Sequence, residues 1–155
     1  MTVAIDIKPL TNELPSQFAD RIGQIYAKTV TTQHKKDNGQ FFTPTEIAHF
    51  MAGLAKQTKE KFKILDPGCG TAILSSSLIE TLAKHNDSLK EIELVVYETD
   101  QDILSYTQAV LDYLGKWLKQ HKIKFKATLD TNDLDRKSTR LNSSHSDLSR
   151  MPSSA

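Results

Sequence analysis

Phe62-Lys63-Ile64-Leu65-Asp66-Pro67-Gly68-Cys69-Gly70-Thr71-Ala72 is the stretch on which the fold turns. A short run of strand character stops at Asp-Pro, and two glycines follow with one residue between them. A helical pattern carrying Leu74, Leu78, Ile79 and Leu82 then begins at once. Strand, tight glycine turn and helix in that order open a βαβ unit. Further on, Glu93-Leu94-Val95-Val96-Tyr97 reads as a second, buried strand that ends at Glu98-Thr99-Asp100. Another helix carries Ile103, Leu104, Leu111, Leu114, Trp117 and Leu118, and Ile123–Leu129 reads as a third strand. Strands alternating with helices predict parallel pairing through right-handed crossovers. The expected fold class is α/β, a partial doubly wound, Rossmann-like sheet.

Ahead of the half-sheet, a helical pattern starts at Pro15, with Phe18, Ile22, Ile25 and Tyr26 on one face. It ends in the polar run His34–Gly39, where Asn38-Gly39 signals a turn. Thr43-Pro44-Thr45-Glu46 announces another helix: Thr43 as cap, Pro44 at the first helical position, Glu46 closing a capping box. Ile47, Phe50, Met51 and Leu54 then fall at i, i+3, i+4 and i+7, a stripe expected to face a core. The expected division is an N-terminal helical segment over residues 1–60 and the half-sheet over residues 61–134.

Residues 135–155 are serine-rich and without period. Asp135–His145 and Ser149–Ala155 can be written back into codons that resemble the two constant blocks of a common short-read sequencing adapter. The residues between them leave an index-sized gap. This tail is expected to be non-native and disordered, building no core, with the natural sequence running on past Leu134.

Composition constrains function only loosely. At 155 residues, 25% charged and 38% hydrophobic, the sequence is that of an ordinary soluble domain. A net charge of +1 advertises neither nucleic acid nor membrane. The single cysteine excludes an internal disulfide and a cysteine-only metal cage. His34, His49, His85, His121 and His145 lack ligand spacing, so no metal site is expected. The start Met1–Leu10 does not read as a signal peptide and no apolar run nears the roughly 18 residues of a membrane span, so a cytoplasmic location is expected.

Chemistry concentrates in the loop 66–72. Gly68 and Gly70 let backbone approach a ligand closely, and the next helix offers free N–H groups and a positive dipole end. Asp66 repels a pyrophosphate but suits an ammonium or sulfonium. Ile73 stands where a dinucleotide fingerprint carries its third glycine. Glu98, at the end of the second strand, is placed to accept hydrogen bonds from both ribose hydroxyls; taken alone it reads as a solvated strand-end acid. Two acids and a glycine loop together suggest an adenosine-bearing ligand. Cys69 reads as a small loop residue rather than a nucleophile. Phe41 and Phe42, without the loop, read as core aromatics. Lys119–Lys126 reads as a solvated helix end and strand edge, with contact to DNA phosphates as the alternative.

Gly39-Gln40-Phe41-Phe42-Thr43-Pro44, the loop Asp66–Ala72 and Tyr97-Glu98-Thr99-Asp100 together resemble the adenine-specific DNA methyltransferases of restriction–modification systems. Their order is similar to the gamma class, in which cofactor motifs precede the catalytic one. The resemblance covers Lys35–Asp133. It implies a class I methyltransferase fold, S-adenosylmethionine as cofactor, and DNA as the partner of the intact enzyme. By the resemblance, Phe42, Thr43 and Pro44 line the methionine end of the cofactor and Asp66 faces its amino group. Gly68 and Gly70 pass beneath it, Glu98 holds the ribose, and Asp133 meets the adenine amine, with Asp130 as the nearby alternative. In this family the adenine to be methylated is flipped out of the duplex and held by an Asn/Asp-Pro-Pro-Tyr/Phe motif. No such tetrapeptide occurs here, so no catalytic residue is assigned, and the chain is expected to be an N-terminal fragment inactive by itself. The rival readings are a methyltransferase acting on protein, RNA or a small molecule, a nicotinamide-dependent oxidoreductase, and a non-catalytic cofactor-binding module.

Overall fold

Residues 6–40 and 42–134 are described in a computed structural model of the chain; the readings of Phe41 and of residues 135–155 lie outside them. Three strands, β1 (Lys61–Pro67), β2 (Glu91–Tyr97) and β3 (Lys124–Asp130), lie parallel in the order β1-β2-β3. Pro67 pairs with Tyr97 and Tyr97 with Asp130, so the three strands end level. In an open parallel sheet that level edge is where ligands collect.

The helices are α1 (Pro15–Thr29), α2 (Thr32–Asp37), α3 (Thr45–Gly53), α4 (Ile73–His85) and α5 (Leu104–Gln120). Alternation along β2 turns Ile92, Leu94 and Val96 into the core, where they join Ile79 and Leu82 of α4 and Val110, Leu114 and Leu118 of α5. Phe18 and Ile22 of α1 enter the same cluster, so the first helix packs on α4 and α5 and shares one core with the sheet. The other face of the sheet is a charge ladder. Lys61 pairs with Glu91 at 3.0 Å and Lys63 with Glu93 at 3.3 Å, each directly across the register. The strands exceed their apolar runs because these charged ends still pair backbone to backbone.

Three local expectations are corrected. The polar run 34–39 does not simply end a helix: most of it lies in α2, a separate six-residue helix. Thr31 Oγ1 caps this helix by accepting the His34 N–H at 3.1 Å. Gly39, at φ +60°, closes it, and the Gln40 N–H returns to the Lys35 carbonyl at 2.8 Å. The capping box at Thr43 is absent. Pro44 is itself the N-cap, extended at ψ 146°, so α3 starts one residue later and Thr43 falls outside it.

The third correction concerns the apolar stripe. Ile47, Phe50, Met51 and Leu54 are between 50% and 68% exposed, and α3 is held to α4 through its small face, with Ala48 and Ala52 buried. The period identified an apolar face correctly but could not say which neighbour it meets. Small side chains allow the closer helix approach, and the large ones are left outward beside the exposed Leu65 of the edge strand β1.

Candidate functional site

β1 delivers Asp66 to the level end of the sheet, and the chain then turns through left-handed conformations. Gly68 has φ +71°, Gly70 +54° and Ala72 +60°. The turn is drawn over β2 because the Gly68 and Cys69 N–H groups both donate to the Tyr97 carbonyl, at 2.8 and 2.9 Å. A Cβ at Gly68 would meet nothing within 4 Å, so the loop opens outward there. At Gly70 a Cβ would touch the Phe42 ring at 3.6 Å. Ala72, without glycine's freedom, carries strain of roughly 1–2 kcal/mol at the N-cap of α4; such strain gathers at ligand sites.

Glu98 is not a solvated strand-end acid. It is 8% exposed. Its Oε2 accepts the Gly70 N–H and its Oε1 the Asp100 N–H, each at 2.9 Å. Each oxygen keeps one further acceptor direction. Asp66 accepts the Ser75 hydroxyl. Burial raises its pKa above the usual carboxylate range, the Ser75 bond offsets part of this, and the Glu98 charge raises it further. Among the described residues no lysine or arginine ion-pairs with either acid. Cys69 is buried beside both. Burial first, then the two carboxylates, push its thiol pKa up, so it stays protonated and is no nucleophile.

The first motif reaches this loop from outside the sheet. The Phe42 ring stands edge-on to Tyr26, with centroids 6.1 Å apart, and lies against Gly70. Phe42 and Thr43, with Gly23, Thr71 and Ile73, line a cavity of about 100 Å³. Two hydroxyls brace the loop: Thr71 Oγ1 donates to the Ala19 carbonyl at 3.0 Å, and Thr107 Oγ1 to the Gly70 carbonyl at 2.6 Å. The structure thus gathers Phe42, Thr43, Asp66, Gly68, Gly70 and Glu98 at one end of the sheet. Pro44 sits at the start of α3. Asp133 is exposed, three residues past the end of β3. A cavity of about 500 Å³ between Leu14, His49, Glu80 and Trp117 contains none of these residues.

Residues 17–141 match the model of a protein family described as N-6 DNA methylase. The chain belongs to the N-6 DNA methylase family. Its curated relatives include the type II methyltransferase M.BsuBI of Bacillus subtilis, 35% identical over 85 residues, which span 53% of this chain and 17% of that protein. M.HincII of Haemophilus influenzae is 40% identical over 68 residues, spanning 44% of this chain and 12% of that protein. M.AccI of Acinetobacter calcoaceticus is 29% identical over 87 residues, spanning 56% and 15%. The chain therefore spans well under a fifth of each of these relatives.

A solved structure from Listeria monocytogenes, titled as a class I S-adenosylmethionine-dependent methyltransferase, superposes with a TM-score of 0.53 at 21% identity. It covers 80% of this chain and 36% of that one. The N-6 DNA methylase chain thus has part of the class I α/β fold, in agreement with the strand–helix alternation. No helix among its described residues is long and apolar enough to cross a membrane.

Four residues beside this site carry no role that the sequence of the N-6 DNA methylase chain makes visible. Asp100 was visible in the Tyr97–Asp100 motif and Gln40 in the first motif, but neither motif says what the side chain meets. Tyr26 looked like core, and His34 like one of several scattered histidines. In the structure Asp100, 4% exposed, accepts from all three.

Proposed function

We propose that this N-6 DNA methylase chain is the S-adenosylmethionine-binding part of a site-specific adenine DNA methyltransferase. Its motif order is that of the gamma class, and its setting is restriction–modification in the cytoplasm. One observation carries the cofactor reading: Asp66 and Glu98, two carboxylates with no lysine or arginine paired to them among the described residues, flank a glycine loop that is open at Gly68. Such a site disfavours a pyrophosphate and favours a ligand with an ammonium or sulfonium and a ribose diol.

In this assignment Asp66 holds the amino group, Gly68 and Gly70 leave room for the ligand, and Glu98 accepts the ribose hydroxyls with its two remaining acceptor directions. Phe42, Thr43 and Pro44 line the methionine end, and Asp133 takes the adenine amine. The helical segment 1–60 brings the first motif to the half-sheet of residues 61–134. When bound, the cofactor supplies a methyl group on a sulfonium for in-line transfer to the exocyclic amine of adenine. Holding that amine is the task of an Asn/Asp-Pro-Pro-Tyr/Phe motif, a tetrapeptide absent from this sequence. DNA contact and methyl transfer are accordingly assigned to longer polypeptides of the family.

Calorimetric titration of the 155-residue chain with S-adenosylmethionine and, separately, NADH tests this reading. Binding of the first and not the second is expected, and tighter NADH binding overturns it.

A further inference from the structure

The cluster around Asp100 lies beside the cofactor site but contains none of the residues assigned to hold the ligand. Its members come from four parts of the chain: Tyr26 from α1, His34 from α2, Gln40 from the first motif, and Asp100 itself from the loop after β2. The Tyr26 hydroxyl donates to Asp100 Oδ2, and the Gln40 amide donates to the same oxygen. His34 Nε2 lies 2.9 Å from it. Asp100 Oδ1 accepts the Asp102 N–H at 3.0 Å, and the Asp100 N–H donates to Glu98. One buried residue thus joins the first motif, through its carboxylate, to the residue assigned to the ribose, through its backbone N–H.

We propose that Asp100 is a positioning residue that, through Tyr26, His34 and Gln40, latches the first motif against the end of β2, and that His34 is the titrating member of this latch. The proposal rests on the cofactor reading only for its effect on binding. The alternative of a cation held by His34, Asp100 and Asp102 is weaker. Their ligand atoms lie within 4.8 Å of one another, but His34 Nε2 and Asp100 Oδ2 already bond each other.

The charged and titratable groups facing His34 are Asp100 and Asp102 from the loop after β2, Tyr26 from α1, and Asp37 from its own helix. The bond to Asp100 comes first in holding the imidazole's pKa above its usual 6.5, and the carboxylate charges add to it. A raised histidine pKa places the full, charge-assisted tie below pH 6.5 and weakens it to a neutral hydrogen bond as pH climbs through the folded value. Asp100 shows the matching behaviour: its pKa is lowered overall, because the bonds from Tyr26, His34 and Gln40 together outweigh its burial.

Two readouts on the 155-residue chain test the latch between pH 5.5 and 8.5. The first is amide-exchange protection of Gly39 and Gln40, whose N–H groups close the turn after α2. The second is the S-adenosylmethionine dissociation constant. In the wild-type chain protection is expected to fall as pH rises, and the dissociation constant to rise roughly two- to fivefold, as for a partly exposed ion pair. His34→Gln is expected to flatten both profiles at their high-pH level. Gln40→Glu, which sets a carboxylate against Asp100, is expected to lose the protection at every pH. A His34→Gln chain that keeps the wild-type pH slope overturns the proposal, as does unchanged protection in Gln40→Glu. If S-adenosylmethionine fails to bind at every pH while the protection profiles behave as expected, the cofactor reading falls and the latch stands.

Discussion

Removing the Glu98 side chain is expected to cost the fold before it costs any ligand. Its two oxygens each accept one backbone N–H, from Gly70 and from Asp100, at 2.9 Å, and the residue is 8% exposed. Glu98→Ala leaves both donors without an acceptor. A buried donor stripped of its partner costs about 1–3 kcal/mol. The site opens at Gly68 and can admit water, so the lower part of that range applies, about 2–4 kcal/mol for the pair. Against a typical total of about 5–15 kcal/mol this is a large fraction. Glu98→Gln keeps one carbonyl acceptor and turns an NH₂ toward the other donor, so about half the loss is expected. Urea unfolding followed by far-ultraviolet circular dichroism reads both values. If Glu98→Ala unfolds within about 0.5 kcal/mol of wild type, or Glu98→Gln loses as much as Glu98→Ala, the two-donor account is wrong. This result also decides how binding data are read: lost affinity in Glu98→Ala reflects the ribose contact only if the loop is still folded.

Two further substitutions separate site from scaffold. The folded pKa of Asp66 lies above its ordinary 3.8, so its contribution to stability is present below that value and is lost as pH rises through the folded pKa. Asp66→Asn, which still accepts the Ser75 hydroxyl, is therefore expected to be more stable than wild type at neutral pH, with the advantage gone near pH 3, and to bind S-adenosylmethionine about tenfold more weakly; unfolding curves at the two pH values and a calorimetric titration check this. Phe50→Lys is expected to shift stability by no more than about 0.5 kcal/mol, because the ring is 68% exposed, while reducing concentration-dependent association. A loss of about 3 kcal/mol, as for a core phenylalanine, would show that the stripe is buried after all.

Strands, turn and helices were legible because their signals are local. Asp66-Pro67-Gly68-Cys69-Gly70 ends a strand and begins a turn within five residues, and the left-handed φ values at Gly68 and Gly70 match what those glycines permit. The capping box failed on a single angle, the extended ψ of Pro44, which no residue pattern encodes. The stripe of α3 was found but aimed wrongly, since periodicity defines a face and not its neighbour. The Asp100 cluster was out of reach for a different reason. Its partners lie 60 to 74 residues away along the chain, and only the docking of α1 and α2 on the end of the sheet brings them together.

Two features that lower the stability of this chain meet on the β1 side. Burial, and after it the neighbouring Glu98 charge, raise the pKa of Asp66, so its charged form is disfavoured in the fold, with no lysine or arginine ion-paired to it among the described residues. The outward face of α3 leaves large apolar side chains in water. A groove of about 410 Å³ lined by Met51, Ala52, Leu65, Asp66, Leu74 and Leu78 connects them. Elsewhere on the sheet Ile92, Leu94 and Val96 face a closed core, and the opposite sheet face carries matched lysine–glutamate pairs. Features that each lower stability and meet at one place mark where selection acts on something other than stability. Here that place is the C-terminal end of the edge strand, where the proposed cofactor would set a positive charge beside an acid that no lysine or arginine pairs among the described residues. Filling the site should therefore raise the stability of the wild-type chain more than that of Asp66→Asn.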